Sequence, residues 1–542
     1  MIEIVPTKPY LDQRPGTSGL RKKVQVFRQP HYAENFIQAI FDTQCRGGGH
    51  KLVLGGDGRY LNREVIATVI RMAVANGITG LILGRSGLLS TPSASHLIRK
   101  YGVTGGIILS ASHNPGGPDG DFGIKFNVAN GGPAPERVTE AIYERTKQID
   151  SYRIADLPVP NIDRLGKHLL NGMMIEIVDP VADYCTLMQS LFEFDAIARL
   201  FRSGFTMRFD AMHAVTGPYA SKILEDVLGA PPGTVINGTP LPDFGGHHPD
   251  PNLVHARDLF DLMMSPGAPD FGCASDGDGD RNLIIGRGLY VAPSDSLAVL
   301  AANARLVPGY AKGLSGVARS MPTSSAVDKV AEALGIGAFE TPTGWKYFGN
   351  LLDAGLIDLC GEESAGTGSS HVREKDGLWA VLFWLNILAK RGEPVARILR
   401  DHWENYGRNY YTRHDYEEIE TERAAAVIDR LHDRMSELKG ERCGEDEIVG
   451  ADDFAYEDPV DGSIARHQGI RIFFKGGARI IYRLSGTGTE GATLRVYIES
   501  YEKDVARQDR DTQQMLAPLI QISRQIADLE ALTGRQGPSV VT

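Results

Sequence analysis

The amino-acid sequence predicts an α/β protein with three similar α/β domains and a separate α+β domain at the carboxyl end. Three times, an apolar strand-like run ends in a turn and is followed by a helical pattern; the runs lie at 51–54, 206–210 and 316–319. Strands that alternate with helices predict parallel sheets covered by helices. Beyond residue 410 several β-branched strand patterns occur together, which predicts the α+β domain.

The individual elements follow the same patterns in chain order. In the three repeated units, helical patterns occur near 63–75, 218–228 and 326–334. In the C-terminal part, helical patterns cover 423–438 and 516–532, and strand-like runs cover 469–474, 478–484 and 493–500. The apolar run 378–388 is too short to span a bilayer and predicts a buried helix.

These patterns give a division into four domains. We place them at residues 1–190, 191–300, 301–410 and 411–542. Flexible seams are expected at 156–160 and in the acidic, glycine-containing stretch 440–453, although the second is equally typical of a surface loop.

Composition limits the classes of function. The 542 residues carry a formal net charge of −11, which argues against nucleic acid as the main partner. The five cysteines are widely spaced and form no Cys-x-x-Cys pair, so we expect neither a disulfide framework nor a thiolate zinc site. The first residues lack the features of a signal peptide. We therefore expect a reduced, cytoplasmic protein without a membrane partner.

A serine loop follows the strand-like run 106–109. Its residues 110–118 read SASHNPGGP. Glycine and proline at this density fix an irregular backbone, and ligands usually bind where strands of an α/β sheet end. Ser112 is a candidate nucleophile, His113 could transfer protons, and Lys125 adds charge downstream. The alternative is a turn with a capping serine.

An acidic loop alternates carboxylates with glycine. Asp276, Asp278 and Asp280 stand in the sequence SDGDGDR between two strand-like runs. An extended backbone would place all three carboxylates on one face, and oxygen-only ligands suit Mg²⁺ or Ca²⁺. An EF-hand is excluded, because Arg281 and Arg287 occupy the positions that require Gly and Glu. A solvated acidic loop is the alternative.

A glycine-rich loop lies near the carboxyl end. Residues 486–491 match Gly-x-Gly-x-x-Gly, but a strand pattern follows where a dinucleotide-binding site requires a helix. Glycines free backbone N–H groups to bind an anion, and Arg483 and Arg495 flank the loop. This pattern favours a phosphate-binding loop over a dinucleotide site; a glycine-rich hairpin remains the alternative.

A fourth loop combines acceptors with a hydroxyl. Residues 361–366 read GEESAG, and HVREK follows at 371–375. Acceptors and a hydroxyl together suit the recognition of sugar hydroxyls, but taken alone this pattern is more typical of a solvated acidic turn.

The four loops, in this order, resemble the α-D-phosphohexomutase superfamily, and specifically its phosphoglucomutase branch. The matching segments lie at 17–21, 111–118, 120–127, 276–281, 341–345, 360–364, 373–379 and 483–495. The resemblance runs from about residue 10 to residue 504. It implies four domains around a central cleft, the first three of one α/β plan.

The resemblance also implies residue roles. Ser112 would be the phosphoserine, and with Asp276, Asp278 and Asp280 it would hold Mg²⁺. Arg281 would neutralise the reacting phosphoryl group. The other implied active-site residues are Arg21, Lys125 and Lys375 as cations or positioning groups, His113 for proton transfer, Glu362 and Ser364 for sugar hydroxyls, Thr343 and Gly344 for sugar orientation, and Arg483, Ser485, Thr487 and Arg495 for the non-reacting phosphate.

The implied activity is the interconversion of glucose 1-phosphate and glucose 6-phosphate through glucose 1,6-bisphosphate. The family also implies a monomer that binds sugar phosphates. A phosphomannomutase or another phosphohexomutase is the nearest alternative. A non-catalytic scaffold and a metal-dependent phosphatase are more distant alternatives, because neither requires all four loops.

Overall fold

The computed structural model describes residues 1–16, 18–444, 446–485 and 491–542. These residues form two units. The first unit comprises Met1–Pro293, Asn303–Leu314 and Asp358–Ala396. The second unit comprises Ser294–Ala302, Ser315–Ile357 and Arg397–Thr542. None of the described helices has the length and apolar character needed to cross a membrane.

The N-terminal part of the first unit is a seven-stranded sheet with an added strand pair. The strands are β1 (Ile2–Pro6), β2 (Leu20–Lys23), β3 (Lys51–Gly56), β4 (Gly80–Leu88), β5 (Gly105–Leu109), β6 (Asp121–Val128), β7 (Ser151–Ala155), β8 (Gly166–Leu170) and β9 (Met173–Val178). The helices are α1 (Val24–Phe27), α2 (Tyr32–Gln44), α3 (Asn62–Ala75), α4 (Thr91–Tyr101) and α5 (Glu136–Thr146). The sheet order is β2-β6-β5-β3-β4-β9-β8, and β1 pairs with β7. Its central strands β5, β3, β4 and β9 are parallel.

Both faces of this sheet are buried. Because side chains alternate along a strand, Leu52 and Leu54 of β3 join the core on the side of α2 and α3, whereas Val53 joins the core on the side of α4. A parallel strand between two helical layers therefore needs a continuous apolar run, as the sequence has here.

The next part of the first unit contains a smaller mixed sheet. Its elements are α6 (Pro180–Leu191), α7 (Phe194–Arg202), β10 (Met207–Asp210), α8 (Thr216–Ala220), a π-helical segment (Ser221–Val227), β11 (Val235–Ile236), α9 (Arg257–Met264), β12 (Phe271–Ser275), β13 (Asn282–Gly286), β14 (Leu289–Val291) and, continuing into the second unit, α10 (Pro293–Ala302). The sheet order is β11-β10-β12-β13-β14. The helix predicted near 218–228 is thus one α-helical turn followed by a π-helical segment.

Residues 316–406 contribute elements to both units. Its elements are β15 (Gly316–Ser320), α11 (Ala326–Leu334), β16 (Gly337–Thr341), α12 (Lys346–Asp353), β17 (Leu359–Glu362), β18 (Gly366–Ser369), α13 (Gly377–Arg391) and α14 (Val395–Tyr406). In the second unit β15 and β16 are parallel, and in the first unit β17 and β18 form an antiparallel hairpin. Helix α13 is buried over most of its length, which confirms the helix predicted at 378–388.

The C-terminal part of the second unit is a seven-stranded sheet. Its elements are β19 (Arg408–Ile419), α15 (Thr421–Leu438), β20 (Arg442–Cys443), β21 (Asp446–Asp453), β22 (Tyr456–Glu457), β23 (Ile464–Ala465), β24 (Ile470–Phe474), β25 (Arg479–Ser485), β26 (Ala492–Glu502), α16 (Thr512–Ile526), α17 (Leu529–Thr533) and β27 (Val540–Val541). The order is β20-β21-β24-β25-β26-β19-β27. The three predicted strands and both predicted helical regions are present.

The seam expected at 440–453 is wrong for most of its length. Residues Asp446–Asp453 form β21, which pairs with β24 in the C-terminal sheet. The acidic side chains that indicated a solvated loop find partners from elsewhere in the chain; Arg471, for example, donates to both carboxylate oxygens of Asp452, at 2.8 and 2.7 Å.

Candidate active site

The serine loop lies at the carboxyl end of the parallel strands of the first sheet. Strands β3 and β5 are parallel neighbours, with Gly56 opposite Leu109, so the segments that follow them meet at one edge. Ser110 Oγ donates to Asp57 Oδ2 at 2.6 Å and accepts from the backbone N–H of Ser112 at 2.8 Å. Arg59 pairs with Asp57 at 2.9 Å and donates to the carbonyl oxygen of Ser112 at 2.7 Å. A buried ion pair therefore fixes the backbone of the predicted nucleophile.

Ser112 has a left-handed backbone, with φ of 55°. This conformation is uncommon for a residue other than glycine and is found at functional sites where the surroundings enforce it. The residue is 2% exposed. Its Oγ donates to Asp276 Oδ2 at 3.1 Å and lies 3.3 Å from His113 Nδ1. The structure thus brings the predicted serine, imidazole and carboxylate together.

The acidic loop is a hairpin turn, so the extended backbone expected from the sequence is wrong. Ser275 of β12 is opposite Asn282 of β13, and the chain must reverse between them, with Gly279 at φ of 81°. Asp276 Oδ1 accepts from the backbone N–H groups of Asp280 and Arg281, both at 2.9 Å. The turn nevertheless gathers Asp276, Asp278 and Asp280, whose carboxylate oxygens approach within 4.8 Å of one another.

Two lysines offset part of this negative charge. Lys125 Nζ lies 2.5 Å from Asp278 Oδ2, and Lys375 Nζ lies 3.3 Å from Asp280 Oδ2. Burial opposes ionisation of Asp278, but the ammonium of Lys125 outweighs it and lowers the pKa of this carboxyl. Among the described residues, Asp276 has no lysine partner, and burial together with the charges of Asp280 and Asp278 raises its pKa well above the ordinary value.

The triad fits a hard metal ion. Among the described residues, Asp278 Oδ1 and Asp280 Oδ1 are buried oxygens without a hydrogen-bond partner. Buried carboxylate oxygens are costly unless they are paired or bind a metal. An all-oxygen ligand set of this kind, with a serine oxygen nearby, suits Mg²⁺.

The imidazole of His113 is held in its neutral form. Burial lowers its pKa well below the ordinary value, and the guanidiniums of Arg281 and Arg21 lower it further. A neutral imidazole beside a hydroxyl can accept its proton. The ring of His248 lies 6.2 Å from that of His113, measured between centroids.

Two half-buried arginines each have a buried Nε–H donor that is unused among the described residues. The Nε groups of Arg21, on β2, and of Arg281, after the acidic turn, are both buried without a hydrogen-bond partner. Arg281 also approaches Asp250 at 3.5 Å. Burial lowers the pKa of Arg21, but a guanidinium remains charged at neutral pH. Unused cationic donors of this kind suit a phosphate group.

The loop at 361–366, which the sequence predicts to bind the sugar, is connected to the acidic hairpin. Glu362 ends β17 and is buried, and Ser364 is half-buried in the turn before β18. In this turn the carbonyl of Ala365 accepts from the backbone N–H of Asn282 at 3.0 Å, and Arg281 bridges to Gly366. The predicted sugar and metal loops are therefore connected by backbone contacts.

The remaining predicted residues belong to the second unit. Arg483 and Arg495 are directly opposite each other on β25 and β26. Ser485 ends β25, and Thr343 and Gly344 lie between β16 and α12. Thr343 Oγ1 is buried without a hydrogen-bond partner among the described residues. Thr487 lies outside the described residues.

Sequence reasoning missed several residues of the site. Thr91 Oγ1 donates to Asp278 Oδ2 at 2.5 Å, and Asn127 donates to the buried carboxyl of Glu374 at 2.8 Å. The ion pair of Asp57 and Arg59 was also missed, although both residues follow a predicted strand. The rule that ligands bind beyond strand ends would have found this pair.

Comparison with known proteins identifies the family. Family models match along the chain: phosphoglucomutase/phosphomannomutase α/β/α domains I at 12–153, II at 182–288 and III at 293–406, and the phosphoglucomutase-1 C-terminal domain at 408–539. These matches confirm three α/β domains followed by a distinct C-terminal domain.

Individual proteins match over their full length. A phosphoglucomutase of Rhizobium radiobacter is 60% identical over 100% of both chains, and human phosphoglucomutase-1 is 53% identical over 100% of both. The solved open form of parafusin, a phosphoglucomutase from Paramecium, has 48% sequence identity and a TM-score of 0.93, covering 100% of this chain and 99% of its own. A family match along the chain and identities of this size lead to one assignment: the chain belongs to the phosphoglucomutase/phosphomannomutase family of metal-dependent isomerases, in its phosphoglucomutase branch.

Proposed function

We propose that the chain interconverts glucose 1-phosphate and glucose 6-phosphate, with Ser112 as the carrier of the transferred phosphoryl group. One observation supports this most directly. Ser112 Oγ is buried 3.1 Å from Asp276, which belongs to the cluster of three aspartates. A hydroxyl in such a place is suited to exchange a phosphoryl group, because charge that develops on the oxygen can be balanced by fixed groups.

Asp276, Asp278 and Asp280, with an oxygen of phosphorylated Ser112, would hold Mg²⁺. When bound, the ion supplies positive charge that stabilises a developing negative charge on oxygen. The Oδ1 atoms of Asp278 and Asp280, which are buried without a hydrogen-bond partner in the part of the chain that the structure describes, support this assignment.

The chain's own residues perform the transfer. Phosphorylated Ser112 donates its phosphoryl group to the free hydroxyl of a glucose monophosphate, which gives glucose 1,6-bisphosphate and a free serine hydroxyl. Ser112 Oγ then takes the phosphoryl group at the other position, and the other monophosphate leaves. No phosphate is lost to water, so atoms and charge balance over one cycle.

The remaining residues bind and orient the substrate. Arg281 and Arg21 would donate their unused Nε–H groups to the reacting phosphoryl group. His113 would hold the proton of the serine hydroxyl, and Lys125 and Lys375 keep Asp278 and Asp280 in place. Glu362 and Ser364 would bind sugar hydroxyls, Thr343 and Gly344 would follow the sugar's orientation, and Arg483, Ser485, Thr487 and Arg495 would bind the non-reacting phosphate. We further expect a monomer that works in the cytoplasm.

A coupled assay tests the proposal. Wild-type protein is given glucose 1-phosphate, Mg²⁺ and catalytic glucose 1,6-bisphosphate, and glucose 6-phosphate is measured. Fast conversion that stops with EDTA is expected, and Ser112→Ala should fold normally but lose turnover. Full activity of Ser112→Ala would overturn the role of the serine. Faster turnover of mannose 1-phosphate than of glucose 1-phosphate would favour the phosphomannomutase alternative.

A further inference from the structure

Two histidines and an aspartate converge on the C-terminal sheet, far along the chain from the acidic loop. His432 lies on α15, Asp453 ends β21, and His467 lies in the segment between β23 and β24. His432 Nε2 is 3.6 Å and His467 Nδ1 is 2.5 Å from the same oxygen, Asp453 Oδ2. The ligand-type atoms of all three residues lie within 4.8 Å of one another.

The convergence is a consequence of the fold. Because side chains alternate along β21, the neighbouring Asp452 points away from Asp453 and pairs with Arg471 at 2.7 Å. Asp453 therefore faces the imidazoles instead. Among the residues that the structure describes, Asp453 has no lysine or arginine as an ion-pair partner.

The segment that carries His467 is held by two backbone hydrogen bonds just after this residue. Gln468 donates its backbone N–H to the Phe454 carbonyl at 3.0 Å, and Phe454 donates to the Gly469 carbonyl at 2.9 Å. His467 itself has a left-handed backbone, with φ of 56°. The chain thus returns beside β21, and the imidazole of His467 is directed to Asp453 Oδ2.

We propose that His432, Asp453 and His467 bind a divalent transition-metal ion of the Zn²⁺ class. Two imidazole nitrogens and one carboxylate oxygen are a typical ligand set for Zn²⁺ and for Co²⁺, and differ from the all-oxygen set that suits Mg²⁺. Ligands about 2.1 Å from a tetrahedral ion lie about 3.4 Å apart. The 3.6 Å between His432 and Asp453 already fits this spacing.

His467 has the freedom to complete the site. Its side chain is 78% exposed, so its ring can move the short distance from a hydrogen bond with Asp453 to a metal bond. Three protein ligands leave at least one coordination position open to water. The bound ion would connect α15, β21 and the segment before β24, and this role is independent of phosphoryl transfer.

Metal titration of the full-length chain tests the site. Metal-free protein is first saturated with millimolar Mg²⁺, so that the acidic loop is occupied, and is then titrated with Co²⁺ while its visible d–d absorption is recorded. One equivalent of tightly bound Co²⁺ that Zn²⁺ displaces is expected. The variants His432→Gln, Asp453→Asn and His467→Gln should each lower the affinity at least ~10-fold.

The matched control is Asp452→Asn, which alters the adjacent carboxylate on the opposite face and should leave the affinity unchanged. Circular dichroism and retained mutase activity establish that each variant is folded. The proposal is overturned if wild-type protein binds no Co²⁺ at micromolar concentrations, or if the double variant His432→Gln/His467→Gln keeps the same stoichiometry and spectrum. In either case the three residues form only a hydrogen-bonded surface cluster.

Discussion

Arg483 and Arg495 occupy directly opposed positions on two adjacent antiparallel strands. Like charges in opposed positions of a sheet repel each other. Asp415 lies 3.6 Å from Arg495, whereas Arg483 donates to the neutral carbonyl of Gln468 at 3.1 Å. An anion bound by both guanidiniums would remove the repulsion, which is a physical reason to expect phosphate here.

Replacing Arg495 should therefore weaken substrate binding. Arg495→Ala removes a charge-assisted hydrogen bond worth roughly 1.5–3 kcal/mol, which corresponds to a ~10- to 150-fold higher KM with kcat much less affected. Arg413 also pairs with Asp415, at 3.0 Å, so the carboxylate keeps a partner. Steady-state kinetics measure KM and kcat, with Lys475→Ala, in the turn between β24 and β25, as control. An unaltered KM would contradict the phosphate-binding role.

Lys125 should be important for stability as well as for the site. Lys125→Met leaves the buried carboxylate of Asp278 without its cation, and removal of one partner of a buried pair costs roughly 3–5 kcal/mol. Thermal unfolding with and without Mg²⁺ measures this, and EDTA should lower the melting temperature more in the variant than in wild type. The double variant Lys125→Met/Asp278→Asn should lose less stability than Lys125→Met alone. Equal losses would mean that the two groups are not coupled.

Gly277, in the acidic turn, packs closely against the backbone of the serine loop. A Cβ at Gly277 would lie 2.3 Å from the carbonyl oxygen of Ser112, so Gly277→Ala must displace one loop. A displacement of about 1 Å at reacting groups can lower the rate ~100-fold. We expect a fall of this order in kcat with little change in melting temperature. Gly476→Ala, where a Cβ meets nothing within 4 Å, is the control, and wild-type kcat in Gly277→Ala would contradict the close contact.

Glu374 makes stability depend on pH. Burial raises the pKa of its carboxyl to about 8, although Lys125 opposes the shift. The folded state keeps this carboxyl protonated up to about pH 8, whereas the unfolded chain releases the proton above about pH 4.3. The free energy of unfolding is therefore highest, with respect to this group, below about pH 4.3. It decreases by about 1.4 kcal/mol per pH unit between about pH 4.3 and pH 8 and does not change further above about pH 8.

The variant Glu374→Gln lacks this titration and serves as the test. Its free energy of unfolding should exceed that of wild type by an amount that grows between pH 5 and pH 8. Urea unfolding across this range measures the difference, and Glu64→Gln, at an exposed position of α3, is the control. If the free energy of unfolding changes with pH in the same way for wild type and for Glu374→Gln, a neutral buried carboxyl at Glu374 is excluded.

Local sequence patterns were sufficient to locate functional side chains that are recognisable from the residues next to them in one loop. Ser112 and the three aspartates stand among glycines and prolines just after strand-like runs, and that pattern is readable without the fold. Thr91 gives no such signal, because its partner Asp278 is 187 residues away in the chain. A threonine at the start of a helix is typical of helix termini, and Ser90 does cap α4 by accepting from Ser93.

Backbone shape was harder to predict than residue identity. The alternation of aspartate and glycine suggested an extended strand, but the pairing of β12 with β13 requires a reversal there. Similarly, acidic residues at 446–453 suggested a solvated seam, although Arg471 pairs with Asp452 and two histidine rings lie beside Asp453. In both places the deciding partners come from distant segments, which a single sequence does not reveal.

The backbone of Ser112 is held through its carbonyl and its N–H, by Arg59 and Ser110. Its hydroxyl takes no part in those two restraints. The loop can therefore keep one shape whether the oxygen carries a proton or a doubly charged group. The enzyme would alternate between two chemical forms of the same side chain on an unchanged backbone, so the transfer step would not require the nucleophile loop to rearrange.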